Sequence, residues 1–242
     1  MISDEVDIAL VMLCYKEGER VRQLVERAKR CLSLRNISYQ IVLVSNFSPD
    51  EKDKDASPSI VRDIASRDSR ITGVTLEKKG GCGWDLRTGL KVAEAKTIAY
   101  IDGDGQNPIE DVVRVYDALT SSNYDMAMTY RVKRYDGLER ILISRVYNAF
   151  LRFLFPKVHV YDANSKPKIF TKHALQQLTI SADNMFFDAD IIIQACYKNF
   201  RIAQVPTVFL KQIGRSSFVN VWTVIEFLYD LAAYRLRFRQ VR

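Results

Sequence analysis

The sequence predicts an α/β fold, a doubly wound and mostly parallel sheet flanked by helices, with amphipathic helices toward the C-terminus. Two observations support this fold class. Apolar runs of strand length alternate four times with segments of helical periodicity over residues 6–119. The loops after these runs are polar or contain glycine, as is usual where the carboxyl ends of parallel strands bind a ligand.

Four strand and helix pairs make up the first half of the chain. The predicted strands are Val6–Leu13, Tyr39–Val44, Ile71–Leu76 and Ile98–Ile101. Four helices are predicted. The first contains the apolar positions between Val21 and Leu32, and the others are Ile60–Ser66, Asp85–Ala95 and Val112–Leu119. A glycine-rich segment, residues 80–83, opens the third helix, where it either holds a phosphate on its amides or forms a tight turn. The fingerprint G-x-G-x-x-G does not follow the first strand, which argues against a Rossmann-type dinucleotide site.

Two carboxylates follow the fourth strand, and they are the strongest chemical signal in the sequence. Asp102 and Asp104 are separated by Gly103 and followed by Gly105, so the backbone can turn while an anion approaches. Carboxylates this close repel each other unless a cation lies between them. Mg2+ binds through one or two carboxylates plus substrate phosphates, which suits a nucleotide-sugar diphosphate. A polar turn after a strand is the alternative interpretation.

The second half of the chain is rich in arginine and aromatic residues. Its predicted elements are strand Asp125–Tyr130, helix Leu138–Phe155, a short strand at the end of 161–170, helix Ala174–Leu178, helix Ile191–Tyr197, strand Phe200–Leu210 interrupted by Pro206, and helix Phe218–Phe238. The basic cluster 131–134 follows the first strand, and the basic loop 211–217 fits a diphosphate clamp. Arginines spaced along the aromatic helix 138–155 are typical either of a membrane-interface helix or of a core helix with a solvated cationic edge.

Composition limits the cellular context. The 242 residues carry a formal net charge of +7, which suits nucleic acid, a membrane surface or an anionic substrate. The four cysteines form no C-x-x-C pair and are interpreted as free thiols in a reducing compartment. The acidic N-terminus does not resemble a signal peptide, and no apolar run is long enough to span a bilayer. We therefore expect a cytoplasmic protein that is at most peripherally associated with a membrane.

Taken together, these motifs resemble those of the family 2 glycosyltransferases of GT-A fold, and among them the dolichyl/polyprenyl-phosphate sugar transferases. Residues 102–108, Asp-Gly-Asp-Gly-Gln-Asn-Pro, are similar to the family motif D-x-D-x-Q-x-P. Residues 81–89 resemble the upstream segment G-x-G-x-x-x-R-x-G. Arg140, Ser144 and Asn148 follow the R-x-x-x-S-x-x-x-N spacing of the family's interface helix.

The resemblance implies roles for particular residues. Asp102 and Asp104 would be catalytic, and Asp104 with Gln106 would hold Mg2+ or Mn2+. The implied nucleotide-sugar ligands are Tyr15, Glu17, Asn46, Gly81, Gly83, Arg87, Asp102 and Lys211. The implied acceptor ligands are Arg131, Arg140, Ser144 and Asp190. The implied domain spans 1–217, with a donor half 1–110 and an acceptor half 111–217, followed by a basic amphipathic helix 218–242.

Several segments depart from the family pattern. Residues 14–17, Cys-Tyr-Lys-Glu, replace T-Y-N-E, and residues 45–48, Ser-Asn-Phe-Ser, replace D-D-G-S, which leaves the nucleotide base open. Residues 165–168, Ser-Lys-Pro-Lys, replace S-G-F-R, and Lys211 stands where the family has a clamp arginine. These lysines keep the charge but lose the bidentate fork of arginine.

The resemblance implies inverting transfer of a sugar from a nucleotide-diphosphate sugar to a polyprenyl phosphate at the cytoplasmic membrane face. A phosphate acceptor is already an anionic nucleophile at pH 7 and needs no strong base. One alternative is a glycan or other hydroxyl acceptor, with Asp188 or Asp190 as the base. Another is a non-catalytic nucleotide- or nucleic-acid-binding module, which the lack of an RNA-type aromatic motif disfavours. The expected partners are therefore the donor, the lipid phosphate and a membrane surface, with no nucleic acid and a homodimer left open.

Overall fold

A computed structural model describes residues 5–51, 55–211 and 221–240, and its strands form one seven-stranded sheet. In chain order the elements are β1 Ile8–Leu13, α1 Arg20–Leu34, β2 Tyr39–Val44, α2 Ser57–Arg67, β3 Ile71–Val74, α3 Cys82–Leu90, β4 Thr97–Asp102, α4 Asp111–Thr120, β5 Met126–Arg134, α5 Leu138–Leu154, β6 Lys168–Thr171, α6 Lys172–Gln176, α7 Phe187–Tyr197, β7 Ile202–Phe209 and α8 Val221–Gln240. The strand order is β3-β2-β1-β4-β6-β5-β7.

The first four strands form a parallel half-sheet that brings the predicted loops to one edge. β1 pairs in parallel with β2 on one side and β4 on the other. Leu13, the last residue of β1, lies opposite Val44 and Asp102. The loops that begin at Cys14, Ser45 and Gly103 therefore leave the sheet side by side, as expected for a ligand site at the carboxyl ends of parallel strands.

A short antiparallel strand joins this half-sheet to the rest. β6 pairs antiparallel with both β4 and β5, so Phe170 lies opposite Ile98 and Met126. β7 then pairs in parallel with β5 and forms the edge of the sheet. The sheet is thus mostly parallel, as the sequence predicts.

Helices cover both faces of the sheet because the strand residues alternate between two hydrophobic clusters. In β1, Ile8, Leu10 and Met12 belong to the cluster that includes α1, α2 and α4. Ala9 and Val11 belong to the cluster that includes α3, α5, α6, α7 and α8. Both faces of β1 are buried, which explains why its sequence is apolar throughout. Among the described residues, no helix combines the length and apolar character needed to cross a bilayer.

Some predicted boundaries were wrong for identifiable reasons. α3 begins at Cys82 and ends at Leu90, before the predicted end, because its last turn tightens and the Val92 amide bonds to the Gly89 carbonyl. β7 continues through Pro206, since an edge strand tolerates the missing amide. α7 begins four residues before the predicted helix, which places Asp188 and Asp190 in its first turn.

Candidate functional site

A cavity of about 420 Å3 opens at the carboxyl edge of the sheet. It lies between the loops after β1 and β4, the end of β5, and helices α5, α7 and α8. Eight of the residues predicted for the site line it, namely Tyr15, Glu17, Asp102, Asp104, Gln106, Arg131, Arg140 and Ser144. The topology therefore brings predicted donor, metal and acceptor residues from distant parts of the chain to one cavity.

The loop after β4 is held tightly against the neighbouring strand. The Gly103 amide donates to the Leu13 carbonyl at 2.8 Å, and a Cβ at position 103 would come within 2.7 Å of that oxygen. Only glycine allows this approach. Asp104 Oδ1 accepts a hydrogen bond from the Gln106 amide at 3.0 Å. The loop therefore holds both carboxylates at the edge of the cavity.

Gln106 connects this loop to the end of β7. Its side-chain Nε2 donates to the Leu210 carbonyl at 3.1 Å, and its own carbonyl accepts from the Leu210 amide at 2.9 Å. The side-chain amide is buried and held by its nitrogen, so the oxygen Oε1 is its remaining acceptor. The predicted clamp residue Lys211 follows directly and is exposed. The rest of that loop, including Gly214 and Ser216, lies outside the described residues.

Asp102 is in contact with a buried lysine that sequence reasoning did not assign to the site. Lys166 Nζ lies 3.0 Å from Asp102 Oδ2 and 2.9 Å from Asp188 Oδ2. Asp188 Oδ1 also accepts from Lys168 Nζ at 2.5 Å and from the Tyr100 hydroxyl at 2.7 Å. Two lysines and two aspartates thus form one cluster, of which Asp102, Lys166 and Asp188 line the cavity. The signal was present in the sequence, because residues 165–168 replace the family's S-G-F-R with two lysines.

Burial and charge act against each other in this cluster. Burial lowers the pKa of the Lys168 ammonium to about 8, and the charge of Lys166 adds to this effect. Burial also disfavours the charged form of Lys166, but Asp102 and Asp188 outweigh it and raise the Lys166 pKa well above its usual value. For Asp188, burial is outweighed by Lys166 and Lys168, so its pKa lies below the usual value. Asp188 is therefore an ionised and weakly basic carboxylate.

The predicted acceptor arginines are paired with aspartates. Arg131 forms a two-pronged contact with Asp162, with Nε to Oδ2 at 2.5 Å and Nη2 to Oδ1 at 2.7 Å. Both side chains are only 9% exposed. Asp136 accepts from Arg134 at 2.6 Å and from Arg140 at the longer distance of 3.4 Å. Arg140 is 22% exposed, so of these arginines it is the one most accessible to a ligand.

The charges around the cavity nearly cancel. Five lining residues are cations, Lys78, Arg131, Arg134, Arg140 and Lys166. Six are carboxylates, Glu17, Asp85, Asp102, Asp104, Asp136 and Asp188. A cavity with this balance does not attract a diphosphate and a second phosphate by net charge alone. An additional cation would be needed to neutralise two such ligands together.

The ligand types around Asp102 and Asp104 fit a hard divalent cation in part. Within the described ranges, no group of three or more His, Cys, Asp or Glu side chains is placed to hold a metal ion. The carboxylate of Asp104 and the amide oxygen of Gln106 are nevertheless oxygen ligands of the kind that Mg2+ uses when substrate phosphates complete its shell. The residues therefore fit a metal that binds together with a phosphate-bearing ligand.

The glycine-rich segment packs against the loop 182–184. The Gly83 and Trp84 amides donate to the Asp183 carbonyl at 2.9 and 3.3 Å. A Cβ at position 83 would come within 2.1 Å of the Ala182 carbonyl oxygen. Arg87 donates to the same carbonyl at 2.9 Å and pairs with Asp183. These contacts favour the tight-turn interpretation, and donor binding by Gly81, Gly83 and Arg87 stays a prediction.

Asn46 supports the cavity from behind. Its Nδ2 donates to Asp85 at 2.9 Å and to Thr88 at 3.0 Å, and it is 1% exposed. Asp85 in turn pairs with Lys78 at 2.7 Å. The Nζ of Lys78 lies 3.9 Å from the centre of the Tyr15 ring. Asn46 does not line the cavity, and the contacts described here connect it to Tyr15 through Asp85 and Lys78.

The structure places Asp190 away from the cavity, contrary to the expectation for an acceptor residue. It is fully buried and accepts from Gln194 Nε2 at 2.7 Å, the Tyr234 hydroxyl at 2.8 Å and the Ser181 amide at 3.2 Å. The bond from Tyr234 joins α7 to α8. The cause is the earlier start of α7, which turns Asp188 rather than Asp190 toward the cavity.

Of the three motif residues on α5, Asn148 forms hydrogen bonds within the protein. Asn148 Nδ2 donates to the Ser144 carbonyl at 2.8 Å, and its Oδ1 accepts from the Ala163 amide at 2.9 Å. Asn148 thereby fixes the segment that carries Asp162, the partner of Arg131. Ser144 itself lines the cavity, and its role in acceptor binding stays a prediction.

Two curated relatives of this chain carry the name of a sugar transferase. The undecaprenyl-phosphate 4-deoxy-4-formamido-L-arabinose transferase of Pectobacterium atrosepticum is 29% identical over 153 residues, which cover 63% of this chain and 45% of that protein. The protein of the same name from Aeromonas hydrophila is 23% identical over 225 residues, which cover 93% of this chain and 66% of that protein. The chain thus spans between 45% and 66% of the length of these relatives.

The fold is also found in a solved structure. Glucosyl-3-phosphoglycerate synthase from Mycobacterium tuberculosis, crystallised with Mn2+, UDP and glucosyl-3-phosphoglycerate, superposes with a TM-score of 0.68 at 16% identity. The match covers 94% of this chain and 78% of that one. This likeness confirms the predicted GT-A fold. The family model of glycosyl transferase family 2 matches residues 9–179, well over half of the sequence, and the chain therefore belongs to this family.

Proposed function

We propose that the protein transfers a sugar from a nucleotide-diphosphate sugar, such as GDP-mannose or a UDP-sugar, to a polyprenyl phosphate with inversion at the anomeric carbon. One observation carries the proposal. A hydroxyl acceptor would need a carboxylate base, and neither of the two candidate carboxylates is available for that role. Asp188 is held by two lysines, and Asp190 is turned away from the cavity. A phosphate acceptor needs neither, because it is already ionised at pH 7. The names of the curated relatives, which are undecaprenyl-phosphate sugar transferases, agree with this acceptor.

The nucleotide-sugar donor would bind at the carboxyl edge of the parallel half-sheet. Tyr15 and Glu17 would contact the nucleotide, and Asp102 would orient the sugar. Asp104 and Gln106 would hold Mg2+ or Mn2+, which when bound supplies positive charge to the departing diphosphate. The nearly balanced charge of the cavity supports this need for an added cation.

The acceptor side uses the arginines at the end of β5 and the start of α5. An oxygen of the lipid phosphate attacks the anomeric carbon from the face opposite the diphosphate. The new carbon–oxygen bond forms as the bond to the diphosphate breaks, and the electron pair leaves with the nucleotide. Arg140 would hold the incoming phosphate with charge-assisted hydrogen bonds, since it is accessible and its contact with Asp136 is long.

The proposal places α5 on a membrane surface, on the cytoplasmic side. Leu142, Val146 and Phe153 are 63%, 51% and 78% exposed, and their spacing puts them on one face of the helix. Arg145 and Arg152 are exposed beside them. An exposed apolar stripe flanked by arginines suits the boundary between acyl chains and anionic headgroups. The lipid phosphate would then reach the cavity from the same surface that α5 contacts.

Transfer to a short polyprenyl phosphate in detergent tests the proposal, using a panel of nucleotide sugars with Mg2+ or Mn2+. Arg140→Ala should lower kcat/KM about ten- to hundredfold, because a lost charge-assisted contact costs roughly 1.5 to 3 kcal/mol. The matched control is Arg145→Ala, an exposed arginine of the same helix that does not line the cavity, and it should stay within about twofold.

Three outcomes would contradict the proposal. Transfer to glycan hydroxyls but not to the lipid phosphate would identify the hydroxyl-acceptor alternative. Equal losses in Arg140→Ala and Arg145→Ala would remove Arg140 from the acceptor site. No turnover of any nucleotide sugar, in protein that binds nucleotide, would favour the non-catalytic module.

A further inference from the structure

The ammonium of Lys166 lies directly beside Asp102, the first carboxylate of the Asp-x-Asp motif. Lys166 Nζ is 3.0 Å from Asp102 Oδ2, and the lysine side chain is only 9% exposed. Asp102 is 33% exposed at the edge of the cavity. The chain therefore already provides a cation for one of the two carboxylates of the Asp-x-Asp motif.

The Lys166 ammonium contacts a second carboxylate, that of Asp188, in addition to Asp102. Lys166 Nζ lies 2.9 Å from Asp188 Oδ2 and 5.4 Å from the centre of the Phe187 ring. Asp188 is in turn fixed by Lys168 and Tyr100. A lysine side chain loses conformational entropy when it is fixed in one rotamer. Here burial and two carboxylates fix Lys166 in the folded protein, so this entropy is not lost again when a ligand binds.

We propose that Lys166 is a positioning residue that reserves Asp102 and prevents it from binding a divalent cation. The metal site then consists of Asp104, with Gln106, and is completed by the phosphates of the donor. This inference deepens the proposed function and rests on its assignment of a divalent cation to Asp104. It assigns to Lys166 a role that the sequence motifs do not indicate.

The electrostatics of the cluster support this division of roles. A divalent cation bound between Asp102 and Asp104 would have to approach the Lys166 ammonium or displace it. Displacement would leave Asp188 with one lysine fewer in a fully buried environment, and breaking a buried pair is costly. A cation bound through Asp104 avoids this cost. Binding of the metal in the absence of a phosphate ligand should therefore be weak.

Titration of the purified protein with Mn2+ alone, following free Mn2+ by its electron paramagnetic resonance signal, tests this inference without any turnover. Lys166→Met frees Asp102 for the metal and should tighten Mn2+ binding about tenfold or more, equivalent to about 1.4 kcal/mol. The matched control is Lys78→Met, which removes another cavity cation, one that pairs with Asp85. This control should change Mn2+ binding by less than about threefold, because Lys78 pairs with Asp85 and not with either carboxylate of the Asp-x-Asp motif.

Further variants separate direct competition from a general change of charge. Adding Asp102→Asn to Lys166→Met should return Mn2+ affinity to the parent level. Asp102→Asn alone, at a partly exposed position, should bind Mn2+ no more weakly than the parent. Lys166→Gln, which retains a polar side chain, repeats the experiment if thermal unfolding shows that Lys166→Met is not folded.

Two results would overturn the inference. One is Mn2+ binding by Lys166→Met and Lys166→Gln that is no tighter than by Lys78→Met. The other is a loss of Mn2+ affinity in Asp102→Asn, which would make Asp102 a ligand in the parent protein. Both are independent of sugar transfer, so failure of the proposed function in the transfer assay is a separate result.

Discussion

Replacing Arg131 with alanine should destabilise the protein rather than simply weaken acceptor binding. The Arg131 guanidinium makes two short contacts with Asp162, and both side chains are 9% exposed. Burial disfavours the charged form of Asp162, but Arg131 outweighs it and keeps the Asp162 pKa below its usual value. Arg131→Ala would leave this carboxylate buried without its main counter-charge.

The size of the effect follows from this geometry. Removing one partner of a buried ion pair costs about 3 to 5 kcal/mol. For a domain of this size each kcal/mol lowers Tm by roughly 2 to 4 °C. The loss therefore corresponds to a decrease in Tm of roughly 6 to 20 °C.

Thermal unfolding followed by circular dichroism measures this decrease, with Arg134→Ala as the matched control. Arg134 lines the same cavity, but its partner Asp136 keeps a second arginine, Arg140. The control should therefore lose no more than about 1 to 2 kcal/mol. The double variant Arg131→Met/Asp162→Leu removes both charges and should recover much of the stability.

The reasoning is refuted if Arg131→Ala unfolds within about 2 °C of the parent, a change of about 1 kcal/mol or less. A normal Tm combined with a large loss of kcat/KM for the lipid phosphate would show instead that Arg131 binds the acceptor. A double variant less stable than Arg131→Ala would show that the unpaired carboxylate is not the cause.

Three further predictions concern the metal, the membrane and pH. Asp104→Ala should abolish the metal-dependent part of nucleotide-sugar binding without changing Tm, which calorimetry with and without chelator measures; unchanged donor affinity would reject the metal assignment. Parent protein should sediment with anionic vesicles at low salt and less at high salt, since attraction to exposed cations is screened beyond about 8 to 10 Å at physiological ionic strength. Phe153→Ser should reduce that sedimentation, and parent protein that stays in the supernatant at low salt would contradict the assignment of α5. Hydrogen bonds from Lys96 and Ser38 lower the pKa of Asp7 to about 2, so Asp7 stabilises the folded state above pH 4 and this contribution is lost as pH falls toward 2. After allowance for solvent screening, Asp7→Asn should lower the free energy of unfolding at pH 7 by about 1 kcal/mol, and a difference that persists at pH 2 would refute the linkage.

Local patterns predicted most of the fold. The run 39–44, apolar except for Gln40, gave β2 with its observed bounds, because a strand buried on both faces has a nearly continuous apolar sequence. The position of Asp102 at the end of β4 likewise followed from the run before it. These features depend on neighbours in sequence, which a single sequence contains.

The partners of the charged residues could not be predicted in the same way. Arg131 meets Asp162 across 31 residues of sequence, and Lys166 meets Asp102 across 64. Nothing in the local pattern indicates which of the two aspartates on α7 faces the cavity, since that depends on where the helix starts. The sequence therefore indicated the sheet edge where the cavity lies and the carboxylates Asp102 and Asp104 that line it, while the division between cavity-facing and paired cations depends on the three-dimensional packing.

The antiparallel strand β6 also determines the order in which the sheet can be completed during synthesis. β4 ends at Asp102, but the strand that covers its outer edge ends at Thr171, 69 residues later. At roughly 5 to 20 residues per second, the ribosome needs about 3 to 14 seconds to supply that strand. During this interval the apolar β4 has an open edge whose amide and carbonyl groups can pair with another chain. A nascent chain that stops after the donor half would thus expose an aggregation-prone strand. Pairing with β6 covers this edge and so protects the first half of the protein from aggregation.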